Sequence, residues 1–163
     1  MIRFLALTFL AFALAGCGLQ PMYAGGSSGQ VARGLAEVEV PAIEGRAGWL
    51  VRNALNDRLG AAGEGSARYR LDVRLDDSLE GFGLINDIEI ARERRTLRAR
   101  YQLVDTTTDE ILLDATSRSD AGIDVVSSEY ATISAEQAAL ENLSRDIADR
   151  IVQRLSLTLR QQP

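Results

Sequence analysis

Apolar residues along this chain change spacing several times, and each change marks an element. Phe4 to Leu14 is an unbroken apolar run behind Met1-Ile2-Arg3, the length of a signal-peptide core and too short to span a bilayer as a helix. Gly18 to Gly34 has no periodicity and collects Pro21, Gly25-Gly26, Ser27-Ser28 and Gly29, the composition of a flexible tether. From Leu35 the pattern alternates, with Val38 and Val40 against Glu37 and Glu39 as far as Pro41. That predicts a strand with one wet face, whose end or edge suits a proline. Leu50, Val51, Ala54, Leu55 and Leu59 then fall at helical spacing opposite Arg52, Asn53, Asn56 and Asp57, with Gly60 or Gly63 as the stop.

Period two returns at Tyr69, Leu71, Val73 and Leu75, which alternate with Arg70, Asp72, Arg74 and Asp76. It recurs at Leu97, Ala99, Tyr101 and Leu103, alternating with Thr96, Arg98, Arg100 and Gln102. Thr106-Thr107-Thr108-Asp109 reads as a turn, and Ile111, Leu113 and Ala115 open a further strand running towards Val125-Val126. Three consecutive strands of this kind make an antiparallel meander. The chain closes on a long amphipathic helix, in which Ile133, Leu140, Leu143, Ile147, Ala148, Ile151, Val152, Leu155 and Leu159 share a face. It starts either at the capping box Ser134-Ala135-Glu136-Gln137 or earlier, near Ser128. A sheet with one apolar face needs a cover, so this helix is read as packing on its own sheet rather than on a partner. The order is β-α-β-β-β-α, and the first strand-helix-strand unit crosses over into a parallel neighbour. The prediction is an α/β (α+β) two-layer sandwich, a mixed four-stranded sheet with two helices on one face.

The end of the first apolar run changes the picture. Leu14-Ala15-Gly16-Cys17 holds the single cysteine behind small residues, a pattern that resembles the lipobox of bacterial lipoproteins. In those signals the thiol receives a diacylglycerol, the peptide is cut before the cysteine and the freed amine is acylated. Each buried methylene contributes roughly 0.8 kcal/mol, so several acyl chains anchor a protein durably. The competing reading is an ordinary secretory signal with Cys17 as a spare thiol, a liability in an oxidising compartment. Gly18 follows where an Asp is absent, which by the same resemblance favours the outer membrane. The expected layout is a signal peptide over residues 1–16, a lipidated flexible tether over 17–34 and a single domain over 35–163.

Composition narrows the chemistry. Without Arg3 of the signal, 17 basic residues face 23 acidic ones, a formal charge of −6. An acidic surface argues against nucleic acid, whose binding needs a basic stripe to displace phosphate counterions. The chain has no histidine and no lysine. Ser-His-Asp and Cys-His nucleophiles, the common zinc sets and lysine chemistry are thereby excluded, and no cofactor is expected beyond the lipid on Cys17. Gly25-Gly26-Ser27-Ser28-Gly29 matches G-x-S-x-G literally, but no strand precedes it and no histidine exists to activate Ser27. Asp76, Asp77 and Glu80 are the densest acidic cluster. Adjacent strand residues point to opposite faces, so a solvated edge or turn is favoured over an acid/base pair.

Cys17-Gly18-Leu19-Gln20-Pro21-Met22-Tyr23, Ile43-Glu44-Gly45-Arg46 ahead of the first helix, Tyr101-Gln102-Leu103-Val104-Asp105 before the turn and the closing helix together resemble the LptE family of lipopolysaccharide-assembly lipoproteins. The resemblance implies a non-enzymatic protein that plugs the lumen of the LptD β-barrel one to one, helps assemble it and passes lipopolysaccharide to the cell surface. Within an acidic chain, Arg92, Arg94, Arg95, Arg98 and Arg100 are the one basic concentration. On a strand, Arg92, Arg94, Arg98 and Arg100 share a face and Arg95 takes the other. Guanidinium groups bind phosphate bidentately, which makes these arginines candidates for lipopolysaccharide. Pairing with Asp72 and Asp76 across a wet sheet is the structural alternative. Phe82, Leu84 and Ile85 fall where a polar hairpin tip is expected, which marks them either as a partner contact or as core residues of longer strands. Two other classes remain open: an accessory subunit of a lipid or solute transporter, and a carboxylate hydrolase with two facing carboxylates.

Overall fold

The computed structural model describes residues 29–60, 67–85 and 89–161. Cys17, the residues 1–16 ahead of it and most of the expected tether lie outside the described residues. Helix α1 spans Gln30–Ala36, strand β1 Val38–Glu39, helix α2 Gly45–Leu59, strands β2 Tyr69–Ile85, β3 Glu89–Asp105 and β4 Glu110–Asp124, and helix α3 Glu129–Arg160. The sheet order is β1-β2-β3-β4. β1 pairs parallel with β2 at Tyr69 and Arg70, and the other two pairings are antiparallel. The mixed four-stranded sheet covered by helices is the expected architecture.

One element was not expected. Residues 30–34, assigned to the tether by composition, begin α1. Val31 and Leu35 stand one helical turn apart and join the core, and a Cβ on Gly34 would lie 3.4 Å from the Leu159 side chain near the end of α3. Packing on α3 thus outweighs the local Gly and Ser content.

β1 stops after two residues because Pro41 has no N–H to continue the ladder, and the Arg52 Nε donates to the Val40 carbonyl at 2.9 Å as the chain turns away. Gly45, at φ +78°, lets the backbone enter α2 in a left-handed conformation. Gly48, one turn on, lies so close to the Ile43 carbonyl that no Cβ fits there. α3 starts at the earlier of the two expected positions, with the Ser128 Oγ accepting from the Ala131 N–H at 3.4 Å.

The core lies between the helices and one face of the sheet. Leu71, Leu97, Ala99, Tyr101 and Leu103 meet Val51, Leu55, Leu143, Ile147, Ile151 and Leu155, all buried. Ser144 and Ser156 are buried on the same helix, and each donates its hydroxyl to the carbonyl four residues back at 2.8 Å, so neither is left unsatisfied. α2 and α3 are also tied by Arg58, which grips both Asp149 oxygens, the Nη2 contact at 3.1 Å.

Of the two readings of the stretch around Phe82, Leu84 and Ile85, the longer strands are observed. β2 runs on to Ile85 and β3 starts at Glu89, because the ladder holds one register from Tyr69↔Asp105 to Ile85↔Glu89. The acidic cluster therefore sits inside a strand. Asp76 and Asp77 point to opposite faces of it, as strand geometry requires.

Candidate functional site on the open sheet face

A sheet covered on one side leaves the other to solvent. In β3 the odd positions Leu97, Ala99, Tyr101 and Leu103 are buried under the helices, so Arg92, Arg94, Arg98, Arg100 and Gln102 occupy the open face. The pairing adds Arg70, Asp72, Arg74, Asp76 and Glu80 from β2, and Asp114, Arg118, Asp120 and Asp124 from β4. The structure brings four of the five expected arginines onto this face and places Arg95 under α3.

Arg95 is a structural residue by its contacts. Its Nη2 and Nε hold Asp77 at 2.7 and 2.9 Å, and its Nη1 donates to the Glu136 carbonyl of α3 at 3.1 Å. Its side chain is only 17% exposed, against 65% for Arg100. The bond to Asp77 raises its pKa further above the usual arginine value.

The remaining four differ among themselves. Arg92 pairs with Asp124 at 2.8 Å, and Arg100 meets both Asp114 oxygens at 3.0 and 3.3 Å. Asp114 also accepts from the Gln102 amide at 2.8 Å, and these bonds, Arg100 first, hold its carboxyl below the usual carboxylate range. Arg94 lies over the Phe82 ring, 5.1 Å from its centroid. Arg98 makes no ion pair among the described residues, although Asp76 stands opposite it in register. The acidic partners are thus Asp114 and Asp124 of β4, not Asp72 and Asp76; Asp72 is engaged by Arg70 at 3.1 Å.

Two further arginines complete the face. Arg74 stands directly opposite Arg100, and Arg118 directly opposite Arg98. Neither Arg74 nor Arg118 has an ion pair among the described residues. Like charges directly across a ladder destabilise it, and of these four only Arg100 has an acidic partner, Asp114, so Arg74, Arg98 and Arg118 hold positive charge that no ion pair among the described residues neutralises. The sequence signal for both was available in the alternation, but only strand register reveals who faces whom. A notch of about 490 Å³, lined in part by Pro41, Ile43, Asp72, Arg74, Arg100 and Gln102, opens beside them where β1 leaves the sheet.

Phe82 is 42% exposed under the Arg94 guanidinium and is not a core residue. The backbones of Leu84 and Ile85 are in β2; their side chains lie outside the described residues.

The profile of the LptE family, described as lipopolysaccharide-assembly, matches residues 35–155. The chain belongs to the LptE family. The matched stretch runs from the last turn of α1 to within α3, so the LptE match contains the whole sheet and the open arginine face. Among solved structures, a lipoprotein from Caulobacter crescentus CB15 superposes with a TM-score of 0.68 at 22% identity, covering 82% of this chain and all of its own. The minor lipoprotein of Acinetobacter baumannii gives 0.58 at 17% identity over 77% of this chain and 94% of its own. A lipoprotein B from Nitrosomonas europaea gives 0.57 at 12% identity over 76% and 83%. These likenesses establish that the LptE fold is shared. A search of curated proteins gives no sequence match. Of the stretches that resemble LptE in sequence, Ile43 to Arg46 and Tyr101 to Asp105 lie inside the matched region, and Cys17 to Tyr23 lies ahead of it.

Proposed function

We propose that this chain is a non-enzymatic outer-membrane lipoprotein, held by a lipid on Cys17, that plugs and helps assemble the LptD β-barrel and contacts lipopolysaccharide during export. The contact is assigned to Arg74, Arg94, Arg98 and Arg118, with Arg100 shared between Asp114 and the ligand. The observation that carries it is the pair of like-charged rows, Arg74 with Arg100 and Arg98 with Arg118, on an uncovered sheet face. Phosphate oxygens placed between such rows accept bidentate bonds and relieve the repulsion at once. Arg92 and Arg95, already neutralised by Asp124 and Asp77, contribute less. Export of a glycolipid through a barrel makes and breaks no covalent bond, which suits a chain without histidine or lysine. Phe82, with Leu84 and Ile85 beyond it, is the proposed contact to the barrel at the hairpin end.

Fluorescence titration with lipopolysaccharide tests the contact. Arg98→Ala with Arg118→Ala should weaken binding at least tenfold, while Arg92→Ala leaves it within twofold; equal loss in both would remove the rows from the site. Purification of the full chain from detergent-solubilised outer membrane should bring LptD with it, and a preparation without a large barrel overturns the plug. Cys17→Ser should abolish incorporation of radiolabelled palmitate.

A further inference from the structure

Among the described residues the outer edge of β2 is open along most of its length. The β1 ladder ends at Glu39↔Arg70, a parallel pairing in which the Glu39 carbonyl takes the Leu71 N–H, and among the described residues no backbone bond reaches the edge past Leu71. The Tyr69 N–H donates outward to the Glu37 carbonyl at 3.1 Å. By strand periodicity the N–H and C=O groups of Val73, Leu75, Asp77, Leu79 and Gly81 point the same way. No proline interrupts this run, and no register shift bends it. Natural sheets blunt such edges with prolines, bulges or covering elements; among the described residues the turn at Pro41 to Ile43 lies beside Leu71 to Arg74, and β2 itself carries no proline or bulge.

The helix layer leaves the same strip bare. Under α3, Ser119 and Ile123 of β4 are 6% and 4% exposed. On the β2 side Val73 and Leu75 are only half-buried and Leu79 is 43% exposed, although all three point to the helix side. Among the described residues the helix layer covers β4 and leaves this part of β2 bare. On the opposite face Asp76 and Glu80 have Arg98 and Arg94 across the ladder on their inner side, and among the described residues they form no ion pair with them and pair with no strand on the outer side.

We infer that the β2 edge from Val73 to Gly81 accepts an extended segment of a partner protein, added as a further strand, whose residues alternate apolar and basic. Its apolar residues cover Val73, Leu75 and Leu79, its basic residues meet Asp76 and Glu80, and its backbone satisfies the outward N–H and C=O groups. The chain's own β1 already uses this edge as far as the Leu71 N–H, and Pro41 turns it away before the guest strand begins. The inference stands apart from the arginine face and from lipopolysaccharide.

Amide hydrogen exchange followed by NMR on the full chain in detergent tests it, with two acetylated heptapeptide probes of alternating Val-Arg and alternating Val-Glu. The Val-Arg peptide should slow exchange at Val73, Leu75, Asp77 and Leu79 at least tenfold and leave β4 unchanged, while the Val-Glu peptide does neither. Asp76→Arg with Glu80→Arg should reverse the preference between the two peptides. Leu75→Pro removes one outward N–H without touching the β3 ladder and should weaken the Val-Arg probe; the charge reversal decides the matter if that variant does not fold. Protection on β4, equal protection by both peptides, or none on β2 overturns the inference. Protection that grows with protein concentration in the absence of peptide assigns the edge to a second copy of the chain and also overturns it.

Discussion

β3 presents two environments within one strand. Its helix-facing side chains Leu97, Ala99, Tyr101 and Leu103 are buried, and the one arginine on that side, Arg95, is locked to Asp77 and to α3. Three residues on, Arg98 lies on the other face and stands opposite Arg118 with no ion pair among the described residues. The same residue type is therefore structural on one face and available on the other. Packing demands neutralisation where water is excluded and tolerates repulsion where water screens it. The covered face is optimised for stability, and the open face carries charge arrangements that stability alone would not select.

The sharpest way to break this contrast is to delete volume from the covered face. Ile147 is fully buried on α3, and Ile147→Ala should destabilise by about 2–5 kcal/mol through lost transfer energy and the cavity left behind. Urea denaturation reads this as a lower midpoint at an unchanged slope. An equal loss from Arg118→Ala would show that the open face is no less structural than the core.

A smaller but more local effect is expected at Gly48. A Cβ there runs into the Ile43 carbonyl, backbone that cannot swing aside as a side chain would. Gly48→Ala should therefore cost about 1–3 kcal/mol despite alanine's better helix propensity. A thermal midpoint equal to or above the parent's would mean that the turn before α2 relaxes freely.

How far this contrast was legible in the sequence depends on range. The alternation of Leu97 to Leu103 with Arg98 to Gln102 assigned faces correctly, and helical spacing placed the apolar face of α2, because both signals are local. The strand-helix-strand unit supplied the parallel pairing of β1. The length of the β2–β3 hairpin was not legible, since Gly81 and Gly83 read as loop composition while their ladder partners lie across the hairpin turn. α1 was hidden for the converse reason: its support comes from Leu159, far along the chain. Arg74 and Arg118 were absent from the candidate set because like-charge opposition is a property of register. Asp114 and Asp124, the partners that remove Arg100 and Arg92 from the free set, lie on a strand whose pairing no local pattern fixes.

Between the two faces in size is the tie joining the helices. Arg58 holds Asp149, chiefly by the side-chain hydrogen bond, and this keeps the Asp149 carboxyl below its ordinary pKa. A depressed folded-state pKa contributes stability that is present above the unfolded value of about 3.9 and is lost as the pH falls through the folded value. Asp149 is half exposed, so Asp149→Asn should lower stability at pH 7 by no more than about 1 kcal/mol. The difference between parent and variant should close as urea melts are repeated from pH 5 towards pH 3. A gap that stays constant would place the effect in packing and not in charge.

The smallest expected effect has the opposite sign. Arg98 and Arg118 face each other across the β3–β4 ladder, so replacing Arg118 with Thr, a good strand former, relieves repulsion and should stabilise the free protein by a few tenths of a kcal/mol. Arg98→Gln should do the same, and the double variant should gain less than the two single gains added together, since either change alone removes the repulsion between them. The gain should shrink at high salt, where exposed charges at this separation are screened. It should also reverse in the presence of lipopolysaccharide, which stabilises only the chain that binds it, in proportion to its concentration over the dissociation constant. If Arg118→Thr instead destabilises the free protein at low salt, Arg118 is a structural residue like Arg95, and the distinction between the two faces fails at its centre.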